Sequence, residues 1–201
     1  VTGNKTQTDK ETTMPIITPK FRVSFPNLFK AQHNKLSGKD EYTVVALFPK
    51  DADLSLLKKA AHDACVKKWG PNEKAWPKNI RSPFRDQAEK AKENDAGKVV
   101  LPSGHEAGAI FMNFKSKERP GVVGPDVQPI IDPSEVYAGC YARAAVTAFA
   151  YDQAGNRGVS FGLNNLQKMG DGDHFGGRTK AEDDFTAISN EVGKTAGDMF
   201  T

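Results

Sequence analysis

The feature that most constrains this chain lies late in it. Residues 137–151 and 157–169 are two long runs of strand-forming residues separated only by Asp152, Gln153, Ala154, Gly155 and Asn156. Long runs joined by a short Gly-containing loop predict a β-hairpin, and arms of this length commit the chain to a mainly antiparallel β architecture. Within the first arm, every second residue is small: Ala138, Cys140, Ala142, Ala144, Val146, Ala148 and Ala150. The intervening positions are Tyr137, Gly139, Tyr141, Arg143, Ala145, Thr147, Phe149 and Tyr151. Two orientations satisfy that alternation. Either the small face packs inside a tight barrel or beneath a helix and the rings point outward, or the rings fill the core and the alanine face lies under the helix.

Three earlier strands supply partners. Phe21, Val23 and Phe25 alternate with Lys20, Arg22 and Ser24, predicting a half-buried strand closed by Pro26. Residues 32–40 are polar and read as a loop. The run 42–48 is apolar on both faces and ends at Pro49, and 109–114 forms a third strand. Between them, Leu54, Leu57, Ala61, Ala64, Cys65 and Lys68 share one face of a helix over 53–69, stopped by Gly70 and Pro71. His62 falls on its polar side. The stretch 70–105 carries Pro71, Pro77, Pro83 and Pro102 and a short polar helical segment near 85–93. An irregular insertion of that length is usually functional or mobile. The run 119–133 reads as a loop with a short strand at Ile130. The sum is a five-stranded barrel of the OB type with an inserted helix and long loops. The usual OB helix lies between the third and fourth strands, so a helix after the second means an insertion or a wrong strand count.

With 201 residues, 38% of them hydrophobic, the chain is long enough to bury a core without covalent staples. Its apolar runs fall far short of the roughly 20 residues of a membrane span. Cys65 and Cys140 stand apart and fit small buried hydrophobes in a reducing cytosol better than a disulfide or zinc framework. The net charge of +3 conceals a division. Residues 20–180 hold 25 Lys and Arg against 18 Asp and Glu, whereas residues 181–201 hold five acids against Lys194 alone. A basic body with an acidic tail suggests a polyanion-binding unit with an interaction segment. The first thirteen residues hold one apolar side chain and are expected to be disordered, or to be foreign residues ahead of a start at Met14; the N-terminal segment is taken as 1–15.

Rings interleaved with cations are what a single-strand stacking platform needs, because bases offer π-faces and the backbone offers phosphates. On the hairpin arm these are Tyr137, Tyr141, Arg143 and Phe149. In the insertion, Lys74, Trp76, Lys78, Arg81, Phe84 and Arg85 form a second set, which reads equally as a solvated linker with two anchoring rings. Lys115, Lys117 and Arg119 alternate after the third strand and either track a nucleic-acid backbone or guard an edge. Enzyme signals are poor. GDGDHFGG reads as a Gly-rich turn rather than a metal site, and no phosphate-loop, zinc-protease or nucleophile-elbow motif occurs. No cofactor is expected.

The segments WPKNIRSPFRD, IIDPSEVYAGCYARAAV, GNRGVSFGLNNLQKMGDG and GGRTKAEDDF resemble a bacteriophage family of single-stranded DNA-binding proteins, the family of an Enterobacter phage member, over roughly residues 16–185. That resemblance implies an OB-fold domain over 16–180 that coats single-stranded DNA with little sequence preference in phage replication, recombination or repair, in the cytoplasm of the infected bacterium. It also implies an acidic tail, 181–201, that contacts phage or host replication proteins. Glu182, Asp183, Asp184 and Phe185 are the residues such a contact would use. Self-association on DNA is a further expectation. Two other readings are carried beside it: a metal-dependent nuclease using Asp126, Asp132, Asp171 and Asp173, and a phage structural or scaffold protein.

Overall fold

A computed structural model describes residues 14–35, 38–153 and 155–176. Among these, the strands are β1 (Ile16–Ile17), β2 (Phe21–Asn34), β3 (Lys39–Leu47), β4 (Arg85–Asp86), β5 (Lys92–Glu93), β6 (Val99–Val100), β7 (Ile110–Ser116), β8 (Gly121–Val123), β9 (Tyr141–Gln153) and β10 (Asn156–Gly170). One α-helix, α1 (Ser55–Trp69), follows β3.

Five strands close on themselves in the order β9, β2, β3, β7, β10 and back to β9. Every junction is antiparallel except β7 with β10, which is parallel. That ring, with its single parallel closure, is an OB-type barrel. The five-strand count therefore stands, and α1 is an insertion after the second barrel strand. β1 lengthens the sheet beside β9, β8 runs parallel to the far end of β10, and β4 adds to β7.

The interior explains the alanine-rich arm. Phe21, Phe48, Phe114 and Phe161 meet edge-to-face at centroid distances of 5.5 to 6.3 Å. Those rings fill the barrel only because the β9 side contributes small groups: Cys140, Ala142, Ala144 and Val146 are all buried. Alternating large and small residues is how a tight barrel is packed at crystal-like density. Further along the strand, Ala148 and Ala150 lie half-buried beside Ala60, Ala64 and Lys67 of α1. Leu57, Ala61 and Cys65 are buried from the helix side. The small face is thus inward, and Tyr141, Arg143 and Phe149 point out. Burial raises the Cys65 and Cys140 thiols above their ordinary range.

Several boundaries differ from the sequence pattern. β2 is not closed by Pro26: a bulge between Ser24 and Asn27 admits an extra residue and the strand continues to Asn34. That bulge also breaks the period, so Phe25 is 66% exposed while Ser24 is buried. Residues 32–40 are mostly strand rather than loop, since Gln32, His33 and Asn34 pair with Glu41, Asp40 and Lys39. The segment 85–93 is not helical throughout. It contains β4, a 3-10 turn at Gln87–Lys90 and the two-residue β5. Its anchor is Gln87, which is buried and donates through Nε2 to the carbonyls of Phe48 and Ile110, both at 2.9 Å. The loop over 119–133 includes β8, and the Ile130 amide donates to Val122 O at 2.9 Å. On α1, Ala64 is half-buried and Lys68 exposed, because the buried seam is the narrower Leu57, Ala61, Cys65 line.

Candidate nucleic-acid interface

Strand register sets the outer surface of the barrel, because cross-strand partners share a face. Tyr141, Arg22, Leu47, Phe111 and Arg85 form one continuous row across β9, β2, β3, β7 and β4. Ser24, Val45 and Asn113 form the next, and Asn27, Thr43 and Lys115 the third. Asn27 Nδ2 donates to Thr43 Oγ1 at 3.1 Å. At the far end, Lys115 Nζ lies 3.6 Å from Glu41.

The first row ends in a cluster of rings around a guanidinium. Arg22 Nε and Nη2 donate to the Gly139 carbonyl at 3.0 and 2.9 Å, and Nη2 donates to Asp173 O at 2.6 Å. Its guanidinium carbon lies 5.1 Å from the Tyr141 ring centre and 4.5 Å from that of Phe175. Lys20 Nζ is 5.0 Å from the same tyrosine ring. Cation–ring pairs at partly exposed sites such as this are worth roughly 0.5–1 kcal/mol each. Residues 171–176 are thereby held against β2 and residues 137–139. They fit because two glycines leave room. A Cβ on Gly139 would stand 2.0 Å from Asp173 O, and one on Gly104 would stand 2.0 Å from the Phe175 ring.

The predicted residues divide among three places. Tyr141 and Arg143 stand on the outer face of β9, the first half-buried between cations and the second exposed, with Nε donating to Gln167 Oε1 at 2.9 Å. Lys115 in the third row and Lys117 and Arg119 beyond it are exposed, and Arg119 lies 5.7 Å from the Phe29 ring. Phe149 is 48% exposed at the other end of β9, beside Lys67 and Lys68 of α1.

The insertion set is largely occupied within the chain. Trp76 packs 6.5 Å from Trp69 and 5.4 Å from His62, and its indole N–H donates to Gly70 O at 2.8 Å. Phe84 meets Phe161 edge-on at 6.2 Å. Arg81 carries the loop onto the β10 edge through backbone bonds to Arg157 and Val159. Arg85 lies over the buried Phe111 ring and pairs with Glu89. Lys74 and Lys78 are exposed. Tyr137 is stacked on His174 at 3.8 Å and donates to Asp171, so it holds the return segment. Glu182, Asp183, Asp184 and Phe185 lie outside the described residues.

The four aspartates of the nuclease reading are scattered. Asp126 accepts from the Gln128 amide and Asp132 from the Ser134 amide; the latter bond holds the Asp132 carboxyl below its ordinary range. Asp171 pairs with Lys168 at 2.8 Å, and Asp173 offers its backbone oxygen to Arg22. Among the described residues, no group of three or more His, Cys, Asp or Glu is placed to hold a metal ion. Nor is any described helix long and apolar enough to cross a membrane.

Sequence reasoning missed Lys20, Arg22, Phe25 and Phe175 as members of this surface. The first two were legible as the polar positions of the first strand. Phe25 was not, because a bulge reverses its face, and Phe175 is placed by contacts more than 60 residues away in the chain.

A five-stranded OB barrel with a cation-and-ring row on its outer face defines the class of this molecule. Solved structures share that fold. The single-stranded DNA-binding protein of bacteriophage Enc34 in complex with ssDNA superposes with a TM-score of 0.62 at 18% identity, covering 82% of this chain and 91% of that one. The protein gp2.5 of bacteriophage T7, a single-stranded DNA-binding protein, gives 0.54 at 13% identity, covering 83% and 97%. In sequence, a putative protein p50 of Acyrthosiphon pisum secondary endosymbiont phage 1 is 28% identical over 84% of this chain and 90% of its own length. The family model for the Enterobacter phage Enc34 ssDNA-binding protein matches residues 14–197, and the chain belongs to that family.

Proposed function

We propose that this protein binds and coats single-stranded DNA, without reading its sequence, during phage DNA replication, recombination and repair in the cytoplasm of the infected cell. The observation that carries this is the outer row Tyr141–Arg22 with Lys20 beside it, set on an OB barrel whose family is that of a phage single-stranded DNA-binding protein. Cations bracketing an aromatic ring offer a phosphate and a base their complements at adjacent points. Arg143, Lys115, Lys117 and Arg119 extend positive charge along the same exterior, and Phe149 with Lys78, Arg81, Lys74 and Arg85 supplies peripheral contacts. Trp76 and Phe84 anchor the insertion to α1 and β10, and Tyr137 holds residues 171–174.

No hydrolytic step belongs to this reading, and the acidic segment 181–201 is assigned to replication proteins through Glu182, Asp183, Asp184 and Phe185. Self-association along a coated strand belongs to the same proposal. The test is a titration of labelled oligo-dT against salt. Affinity should fall steeply as salt rises, since each neutralised phosphate releases counterion with a slope near −0.7 per contact for a single strand. Binding that ignores salt would count against it, as would cleavage of the oligonucleotide in Mg²⁺.

A further inference from the structure

The β2 bulge places an aromatic side chain where a folded chain gains nothing from it. Phe25 has φ 46°, in the left-handed region that a residue with a Cβ enters only at a cost, and its ring is 66% exposed. It lies outside the hydrophobic core. Glycine would hold the same backbone without strain. An exposed ring on a strained residue is thus unfavourable for stability on two counts, and bulges recur where a strand must re-aim one side chain.

The ring is aimed at a cleft. Phe25, Pro26 and Ser24 form one wall; Pro102 and His105 of the insertion form another; Phe175 of the return segment closes the third. Its volume is about 390 Å³, and its lining is mostly apolar. His105 is held by a bond between Nδ1 and the Ser103 carbonyl at 3.2 Å, which places the ring proton on Nδ1, since a carbonyl only accepts. Arg22, with its guanidinium 4.5 Å from Phe175, stands at the boundary between this cleft and the Tyr141 row. A flat apolar ring entering the cleft would therefore carry its attached phosphate toward a fixed positive charge.

We infer that the Phe25–Phe175 cleft receives a single nucleobase of bound DNA, with Phe25 as its stacking partner and Arg22 facing the adjoining phosphate. The inference rests on the single-strand reading above and names a subsite within it. It accounts for three features together: the left-handed Phe25, the exposure of its ring, and the apolar walls beside an arginine on a basic body. Because the recognised feature is a π-face, thymine, cytosine and purines are all accepted.

The variant Phe25→Gly tests it, with Phe25→Trp as the conservative partner. Each is titrated, alongside the natural protein, with labelled dT oligonucleotide and with an abasic oligonucleotide of equal length and charge. Thermal midpoints and light scattering are recorded on the same samples. Phe25→Gly should melt no lower than the natural protein, because strain is relieved. It should nonetheless bind dT at least about fivefold more weakly, the lower end of what one stacked base contributes. Its affinity for the abasic strand should be unchanged, so the preference for base-bearing DNA shrinks, and Phe25→Trp should restore it. Equal dT affinity in Phe25→Gly and the natural protein would overturn the subsite while leaving the single-strand reading intact. Equal losses on dT and abasic strands would overturn it as well, by assigning Phe25 to the backbone. A dimer that Phe25→Gly dissociates without changing dT affinity would assign the cleft to a second copy of the chain. Failure of the natural protein to bind dT at all would remove the broader reading with it.

Discussion

Two regions of this molecule carry nearly the same chemistry and use it differently. The insertion around residues 74–85 and the barrel face around Arg22 and Tyr141 each combine two or more rings with several cations. In the insertion the rings are turned inward. Trp76 packs on Trp69 and bonds to Gly70, Phe84 sits against Phe161, and Arg85 is paired with Glu89. On the barrel face the rings flank a guanidinium at the surface, and Phe25 stands open beside them. Composition alone does not separate a binding surface from a pinned loop. What separates them is what the rings pack against: other rings beneath the loop in one region, a guanidinium at the surface in the other.

The contrast can be broken most severely at Gly139. Its φ of 114° and the 2.0 Å approach of Asp173 O leave no place for a side chain. Gly139→Ala should therefore cost about 3 kcal/mol, by strain and by expelling the return segment from Arg22. Denaturant unfolding measures that loss, and an unchanged midpoint would mean the segment contributes nothing to the fold.

A smaller effect distinguishes the two ring sets directly. Trp76→Ala removes a half-buried indole and its hydrogen bond, and should lower stability by about 2 kcal/mol while the folded fraction binds DNA as before. Tyr141→Ala should weight the two losses the other way, costing about 1–2 kcal/mol of binding and less stability than Trp76→Ala does. Thermal melting beside oligonucleotide titration reads both. Interchanged outcomes would transfer the binding role to the insertion.

The smallest effect is a pH dependence within the insertion. Asp86 accepts from the Ala88 amide at 2.8 Å and the Gly108 amide at 3.0 Å, and these bonds hold its carboxyl below the ordinary range. A carboxyl depressed in the folded state stabilises above its unfolded value and ceases to do so as pH falls through the folded one. Melting of the natural protein should therefore decline below about pH 4 more than melting of Asp86→Asn. Parallel curves would show that the two amides do not depend on the charge.

Much of this was legible in the sequence. The hairpin arms, the helix and the strand count follow from periodicity, because one face of each element is buried and the other is not. The small-residue alternation allowed two orientations, and the choice fell to the phenylalanines of β2, β7 and β10, which fill the barrel and leave β9 room only for alanine and valine. The site was less legible. Phe25 escaped because one extra residue in a bulge reverses every face after it. Phe175 escaped because its place is decided by Gly104 and Arg22, far away in the chain. Phe84 looked like an exposed ring because its partner Phe161 lies far along the chain, and Trp76 because Trp69 and His62 meet it only once the chain has turned back at the end of α1.

Photocrosslinking tests the central claim most directly. Oligo-dT carrying 5-iododeoxyuridine at each position in turn, bound to the natural protein and irradiated, marks the rings that lie against bases, and peptide mapping identifies them. Adducts are expected on Phe25, Tyr141 and Phe175, with Trp76 and Phe84 unmodified. Adducts concentrated on Trp76 and Phe84, with the β2 and β9 rings clean, would contradict it.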